Sequence, residues 1–323
     1  MALTGGLPTE SGFVGVEGVR LVEEALHSGC PIQAVLFSET GQRHHERLAP
    51  LIDRPEMAFP ILRTTDRLFD GLADTEHPQG VAALVKPRET SFDDLVRTPE
   101  SACAPLLVVL AGVQDPGNVG TILRTAVAFG VTGAATAASG VSGTASPYSP
   151  KALRASGGAA LHLPVLAGMS LAILLTQCKV AGIHTLASSA HDRRGASPQK
   201  SGAGLGSRQL APPADSAQLS VSPASRHSSL AVRQSQNDDT ETNEPSATNV
   251  PILLAPWEVD WCQPIAVLVG NEGAGLPEEV ERAADARIHI PMASGVESLN
   301  AAAAATIVFY EAARQRNSTL RQR

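Results

Sequence analysis

The sequence predicts an α/β protein with a parallel sheet, preceded by a smaller α/β unit. Three observations lead there. Residues 106–111 and 265–269 are continuously apolar over the length of a strand, as strands covered on both faces are. Each run passes into a glycine-bearing loop and then a helical stretch. Residues 12–87 alternate strands and helices on a smaller scale, and a polar, proline-flanked segment at 88–105 separates them from the larger unit.

The 323 residues are enough for two domains. Hydrophobic residues make up 43% and aromatics only 3%, so the core must come from Leu, Val, Ile and Ala. A net charge of −7 argues against a protein that coats nucleic acid without selectivity, but it leaves room for a local basic site. Cys30, Cys103, Cys178 and Cys262 lie far apart with no C-x-x-C pair, which predicts reduced thiols and no metal site. The most apolar window, 161–175, is interrupted by Pro164, Gly168 and Ser170 and is too short to span a bilayer. A soluble, cytoplasmic chain without membrane contact is expected.

In the front unit, Val19, Val22, Ala25 and Leu26 recur at helical spacing, predicting a helix over 16–28 that Gly29 ends. Strands are expected at 34–37, 59–62 and 80–85, with helices at 43–52 and 66–72. Beyond the linker, the strand at 106–111 leads to a helix over 118–129, stopped by Gly130, and a strand over 131–136. A helix at 148–157, a strand at 161–164, a helix at 170–181 and a strand at 183–187 continue the alternation. Residues 193–250 contain 11 Ser and no aromatic residue, a composition that cannot offset the entropy of ordering, so they are expected as a disordered insertion. The pattern resumes with the strand at 265–269, a helix at 277–284, a strand at 287–290 and an Ala-rich helix at 298–316. Arg314, Arg316, Arg321 and Arg323 make the tail basic.

Three loops lie where strands give way to helices, the edge of an open α/β sheet where ligands bind. The first runs Asp115-Pro-Gly-Asn-Val-Gly-Thr-Ile-Leu-Arg124. Asn118 could serve simply as a helix cap and Arg124 as a surface cation. The second is Gly270-Asn-Glu-Gly-Ala-Gly275, whose G-x-x-G-x-G spacing is neither the dinucleotide fingerprint nor a P-loop. A plain tight turn would account for its glycines, but a turn has no need of Glu272. In the third, Ile290-Pro-Met-Ala-Ser-Gly-Val-Glu-Ser-Leu-Asn300, the cluster Glu297, Ser298 and Asn300 opens a helix that Ser298 could cap. The alanines at 301–305 give that helix a smooth face for another backbone or another subunit.

Together, in this order, the loops resemble the SpoU family of RNA ribose methyltransferases, within the SPOUT superfamily. Asn118-x-Gly-x-x-x-Arg124, Leu268-x-Gly-Asn-Glu-Gly-x-Gly-Leu276 and Ile290-Pro-Met-x-x-x-x-x-Ser-Leu-Asn300 look like its three motifs, and Lys151-Ala-Leu-Arg-Ala-Ser-Gly-Gly-Ala159 looks like a further family segment. Residues 12–87, ending in Gln79-Gly-Val-Ala82, resemble the L30e-like substrate-binding domain found ahead of it. The resemblance implies a SPOUT-type parallel sheet with a C-terminal trefoil knot over 106–316, apart from the insertion. It implies a homodimer that uses S-adenosylmethionine to methylate a ribose 2′-hydroxyl of RNA, ribosomal (23S) sooner than transfer RNA. Arg124 would act at the hydroxyl, with Asn118, Glu272, Ser298 and Asn300 orienting it. Ala187, Gly270, Ile290 and Leu299 would contact the cofactor. The alternative is a non-catalytic RNA-binding protein on the same fold. The first 90 residues carry 8 Lys and Arg against 13 Asp and Glu, so RNA contact is expected to fall on Arg124, Lys151, Arg154 and the basic tail.

Overall fold

The computed structural model describes residues 8–54, 58–98, 104–138, 143–189, 251–293, 296 and 298–320. The expected insertion at 193–250 lies outside the described residues, as do Cys103, Glu297, Arg321 and Arg323.

The front unit begins with a strand the sequence pattern did not predict, and the helix expected over 16–28 forms from Val19. In β1 (Val14–Glu17) Val14 and Val16 are buried and the residues between them are not, which is the period of a strand. Gly18, at φ 97°, turns the chain into α1 (Val19–His27), and the Gln79 side chain accepts the Val19 N–H at 2.9 Å. Then come β2 (Ile32–Phe37), α2 (His45–Ile52), β3 (Ile61–Arg63), α3 (Asp66–Asp70) and β4 (Val81–Val85). The sheet order is β1-β4-β2-β3, antiparallel except for β2 with β3.

The segment read as a linker contains a short helix, α4 (Phe92–Val96), opened by a capping box between Ser91 and Asp94. Its Leu95 is fully buried against Gly133, where a Cβ would come within 2.9 Å of the leucine side chain.

The larger unit comprises β5 (Leu106–Ala111), α5 (Pro116–Ala128), β6 (Gly133–Ala138), α6 (Pro150–Ser156), α7 (Ala159–His162), β7 (Val165–Ser170), α8 (Leu171–Val180) and β8 (His184–Ser188). After the insertion come β9 (Ile252–Leu254), β10 (Ile265–Val269), α9 (Glu278–Ala283), β11 (Ala286–Ile288) and α10 (Ala301–Leu320). All seven strands are parallel, in the order β7-β6-β5-β10-β8-β11-β9. The expected α/β class with a parallel sheet is therefore what forms. β10 enters the centre between β5 and β8, the chain crosses β8 to lay β11, and α10 returns to pack on α5. This order accommodates the C-terminal knot that the resemblance implies.

Elsewhere one expected strand moved and one short strand was not predicted. The strand expected at 161–164 is a helical turn there, because Pro164 forces Leu163 out of the helical region and β7 starts only afterwards. β9, a three-residue edge strand with Ile252 largely exposed, carried too little apolar pattern to be read. The two tail arginines among the described residues are both engaged. Arg316 is buried and donates to the carbonyls of Trp261 (2.8 Å), Ala104 (2.8 Å) and Gln263 (3.4 Å), while Arg314 pairs with Glu311. Among the described residues no helix is long and apolar enough to cross a membrane.

The tightest crossing is α5 over α6. A Cβ on Gly120 would sit 2.3 Å from the Ala152 carbonyl oxygen and 2.7 Å from the Ala155 side chain. Gly120→Ala should therefore cost about 1–3 kcal/mol of stability by forcing the helices apart, although helix propensity alone favours Ala by about 1 kcal/mol. A denaturant midpoint at or above wild type would contradict the crossing.

Candidate active site

The three loops converge on one edge of the sheet, and Glu272 ties them together. Gly270 leaves β10 so closely against the end of its own loop that a Cβ would meet the Gly275 backbone at 2.5 Å. Asn271 closes the loop with two hydrogen bonds to Gly275, both at 3.0 Å. Its side-chain oxygen accepts the N–H groups of Gly273 and Ala274, and its amide donates across to the Gly112 carbonyl at 3.0 Å. The loop thus presents Glu272 to the β5–α5 connection. The Glu272 carboxylate accepts the N–H groups of Gln114 (3.2 Å) and Asp115 (3.1 Å) and the Asn118 amide (3.0 Å).

Asn118 does not cap its helix as expected. α5 starts two residues earlier at Pro116, and Asp115 is the cap, accepting the Gly117 N–H at 3.1 Å. Asn118 is left to bridge, because its oxygen accepts the Asn300 amide at 3.0 Å. Asn300, in turn, caps α10 by accepting the N–H groups of Ala302 (2.9 Å) and Ala303 (3.3 Å). Ser298 therefore does not hold the capping position, and it lies exposed on the approach. The chain of bonds admits one orientation of both amides. A carboxylate only accepts and a helix N–H only donates, so Asn118 must turn its NH₂ to Glu272 and Asn300 its NH₂ to Asn118. Each NH₂ keeps a second hydrogen for a ligand.

Beside this network is a cavity of about 240 Å³, a little under the usual range of roughly 300–1,000 Å³ for ligand sites. Gly270, Ile290 and Leu299 line it, as do Glu272 and Ser298. Ala187 does not. It alternates to the other face of β8, where it is fully buried with Ala266 and Leu268, and Ser188 and Ser189 line the cavity instead. On α10 the wall is Ala301, Ala304, Ala305 and Val308, one stripe at helical spacing. The alanine run therefore shapes a pocket, a use the sequence reading did not assign to it.

Arg124 stands apart from the network. It is exposed on α5, and its guanidinium lies 3.9 Å from where a Cβ would sit on Gly157, at the end of α6. No hydrogen bond or ion pair holds it among the described residues. Lys151 on α6 reaches back to Asp115 at 2.6 Å, and that contact, with the Gly117 N–H, holds the Asp115 carboxyl below its ordinary pKa. For Glu272 burial acts to raise the pKa, but the hydrogen bonds from Asn118 and the backbone outweigh it and the net direction is down.

The profile of the SpoU rRNA methylase family matches residues 105–202 and 215–310. The chain belongs to that family. A second profile, RNA 2′-O ribose methyltransferase substrate binding, matches residues 16–91. The SpoU chain is 29% identical over 306 residues to an uncharacterized tRNA/rRNA methyltransferase of Synechocystis, covering 95% of this chain and 85% of that one. It is 28% identical over 310 residues to the 23S rRNA (uridine(2479)-2′-O)-methyltransferase of Streptomyces viridochromogenes, covering 96% and 85%. Among solved structures, the SpoU methyltransferase AviRb from Streptomyces viridochromogenes, in complex with AdoMet, superposes with a TM-score of 0.65 at 23% identity over 95% of this chain and 92% of that one. An rRNA methyltransferase from Sinorhizobium meliloti gives 0.64 at 23% identity, covering 94% and 88%. These two likenesses show the fold. The family makes this SpoU protein an RNA methyltransferase.

The lowered pKa of Glu272 has a testable consequence. A carboxyl depressed on folding stabilises the protein above its unfolded value, near 4.5, and loses that contribution as pH falls through the folded value. Wild type should therefore be more stable than Glu272→Gln at neutral pH, and the gap should narrow as pH falls below the unfolded value. Paired denaturation curves whose gap is independent of pH would show that the carboxylate is not held as described.

Proposed function

We propose that this protein transfers a methyl group from S-adenosylmethionine to a ribose 2′-hydroxyl of large-subunit ribosomal RNA. The observation that carries the reading is the Glu272–Asn118–Asn300 chain beside a glycine- and alanine-walled cavity. The cavity fits such a donor on its own chemistry. Its walls are apolar along α10 and polar at Ser188, Ser189 and Glu272, and the backbone N–H groups of Ile290 and Leu299 have no partner among the described residues, so they are open to a heterocycle edge or a carboxylate. The bound donor supplies an already activated methyl group, so positioning and removal of one proton are what remain for the protein.

In this reading Gly270, Ile290 and Leu299 hold the donor, and Ser188 and Ser189 replace Ala187 at the wall. The free amide hydrogens of Asn118 and Asn300 fix the ribose, with Glu272 holding both amides and Ser298 at the mouth. Arg124 holds an RNA phosphate and stabilises negative charge on the 2′-oxygen as the hydroxyl proton passes to solvent water and the methyl group leaves the sulfonium, which departs as a neutral thioether. A guanidinium has no lone pair to accept a proton, so it serves as a cation and not as a base. Residues 12–87 are the RNA-binding domain, 88–105 the connection and 106–316 the methyltransferase domain, interrupted at about 193–250.

The protein acts as a homodimer in this reading. The outer face of α10 exposes Tyr310 (57%) and Ile307 (41%), and Val127 on α5 adds to the same exposed apolar surface (42%). Such a patch is costly to leave in water. Preference for ribosomal RNA rests on the 28%-identical Streptomyces relative, a 23S rRNA 2′-O-methyltransferase.

Calorimetric titration with S-adenosylmethionine should show binding by wild type and its loss in Gly270→Val, whose side chain has no room against Gly275. With deproteinised ribosomal RNA and labelled donor, wild type should yield 2′-O-methylnucleotides. Arg124→Ala, folded and still binding the donor, should lose about 10²-fold or more in turnover. Near-full turnover by Arg124→Ala would remove that residue from the chemistry. Donor binding without any methyl transfer to RNA would favour the non-catalytic alternative.

A further inference from the structure

Two cations on α6 are held by the protein's own carboxylates. Arg154 Nη1 lies 2.7 Å from Asp74 Oδ2 of the front domain, and Lys151 Nζ lies 2.6 Å from Asp115 Oδ1. The third cation of this surface, Arg124, packs over Gly157 just beyond Arg154. Lys151, Arg154 and Arg124 form a row of positive charge beside the site, yet two of its members arrive neutralised.

Asp74 is delivered to Arg154 by a built loop. Its N–H donates to the Glu17 carboxylate at 2.7 Å, and the Thr75 hydroxyl donates to the same carboxylate. Gln79 fastens the far end of the loop to the first turn of α1. The Arg154–Asp74 contact has the geometry of a guanidinium on an anionic oxygen, the contact a phosphodiester would make. Both side chains stay about one-third exposed (36% and 32%), so the pair is reachable from solvent and can be exchanged.

We propose that Asp74 is a built-in phosphate surrogate. It occupies Arg154 in the free protein and yields it to an RNA phosphate when the substrate crosses from the front domain to α6. The proposal rests on the RNA-substrate reading above and specifies how that surface is guarded. Arg154 is the phosphate-binding residue, and Asp74 acts through it. Polyanions that do not fit both domains must open the pair without compensation, and this raises selectivity in a protein of net charge −7.

The test is equilibrium binding of poly(U) and of deproteinised large-subunit ribosomal RNA to the full chain, between about 50 and 200 mM salt. Wild type, Asp74→Asn, Arg154→Gln, the double variant and Glu76→Gln are compared. Glu76→Gln makes the same charge change on the same loop without touching Arg154. Asp74→Asn should bind about two- to five-fold tighter, the range open to a half-exposed pair, and Glu76→Gln should gain less. Arg154→Gln should weaken binding and flatten the logarithmic salt slope by about 0.7, the loss of one single-strand phosphate contact. In the Arg154→Gln background the gain from Asp74→Asn should fall to the general charge gain that Glu76→Gln shows. A gain undiminished there would be a general charge effect alone and would overturn the proposal. Equal or weaker binding by Asp74→Asn would overturn it too, making the pair a strut between domains. If wild type binds neither RNA, the RNA reading itself fails. If wild type binds and only the Asp74→Asn gain is missing, this inference alone fails.

Discussion

The arrangement of the site depends on one carboxylate that can only accept. Glu272 gathers three N–H donors from the β5–α5 connection, and Asn118 relays its polarity to Asn300 and so to the first turn of α10. Residues 154 and 182 positions apart are thereby fixed as one unit. Without such a clamp the glycines of the β10 loop would leave it free to sample many conformations, since glycine loses the most backbone entropy on ordering. Asn271 does the complementary work on the loop's other side by bonding Gly112. Glu272 and Asn271 thus set both the shape of the cavity floor and the direction of the two amides beside it. Glu272 needs neither to give nor to take a proton to matter, and this fits a group held ionised through the neutral range.

The same clamp explains how an acidic protein can address a polyanion. Asp115 lends its N–H to Glu272 and its carboxylate to Lys151, so the cation row on α6 is anchored to the site through a shared residue. Charge here is a matter of placement. Eight of the salt bridges resolved lie at least partly exposed, where each is worth about 0–1 kcal/mol, and their sum says little about stability; Arg287–Glu281 is largely buried. Their positions say more, because the pair at Arg154 joins the two units beside the place where RNA would have to pass.

The sequence made the architecture legible because β5 and β10 are apolar on both faces and the first two ligand loops follow them directly. The site residues were legible as types and in part misread as roles. Asn118 and Ser298 are good caps by chemistry, but capping is decided by where the chain enters the helix, and Asp115 and Asn300 stand at those points. Ala187 was placed one residue out of phase, and in a strand one residue is the difference between the cavity and the opposite face. Asn271 went unnoticed because its role consists of contacts with its own loop and with Gly112, 159 residues away, and no local pattern announces them. Arg316 looked like part of a basic tail, yet it closes three backbone carbonyls in the interior.

The run of alanines at the start of α10 shows how one stretch can serve two surfaces. Ala301, Ala304 and Ala305, with Val308, face the cavity, so each position limits how far the helix wall intrudes. Any longer side chain there would fill space that a ligand needs. On the other face Ile307 and Tyr310 carry the apolar surface outward, with Tyr310 set edge-on to Phe129 at 5.9 Å. A helix apolar on both sides normally lies inside a protein. This one has a pocket on one side and an exposed patch on the other, and the two are separated only by the thickness of the helix. A partner covering the patch would therefore press on the wall of the cavity, and occupancy of the cavity would in turn stiffen the surface offered to the partner. Pairing through that patch would couple donor binding to dimerisation through this one helix.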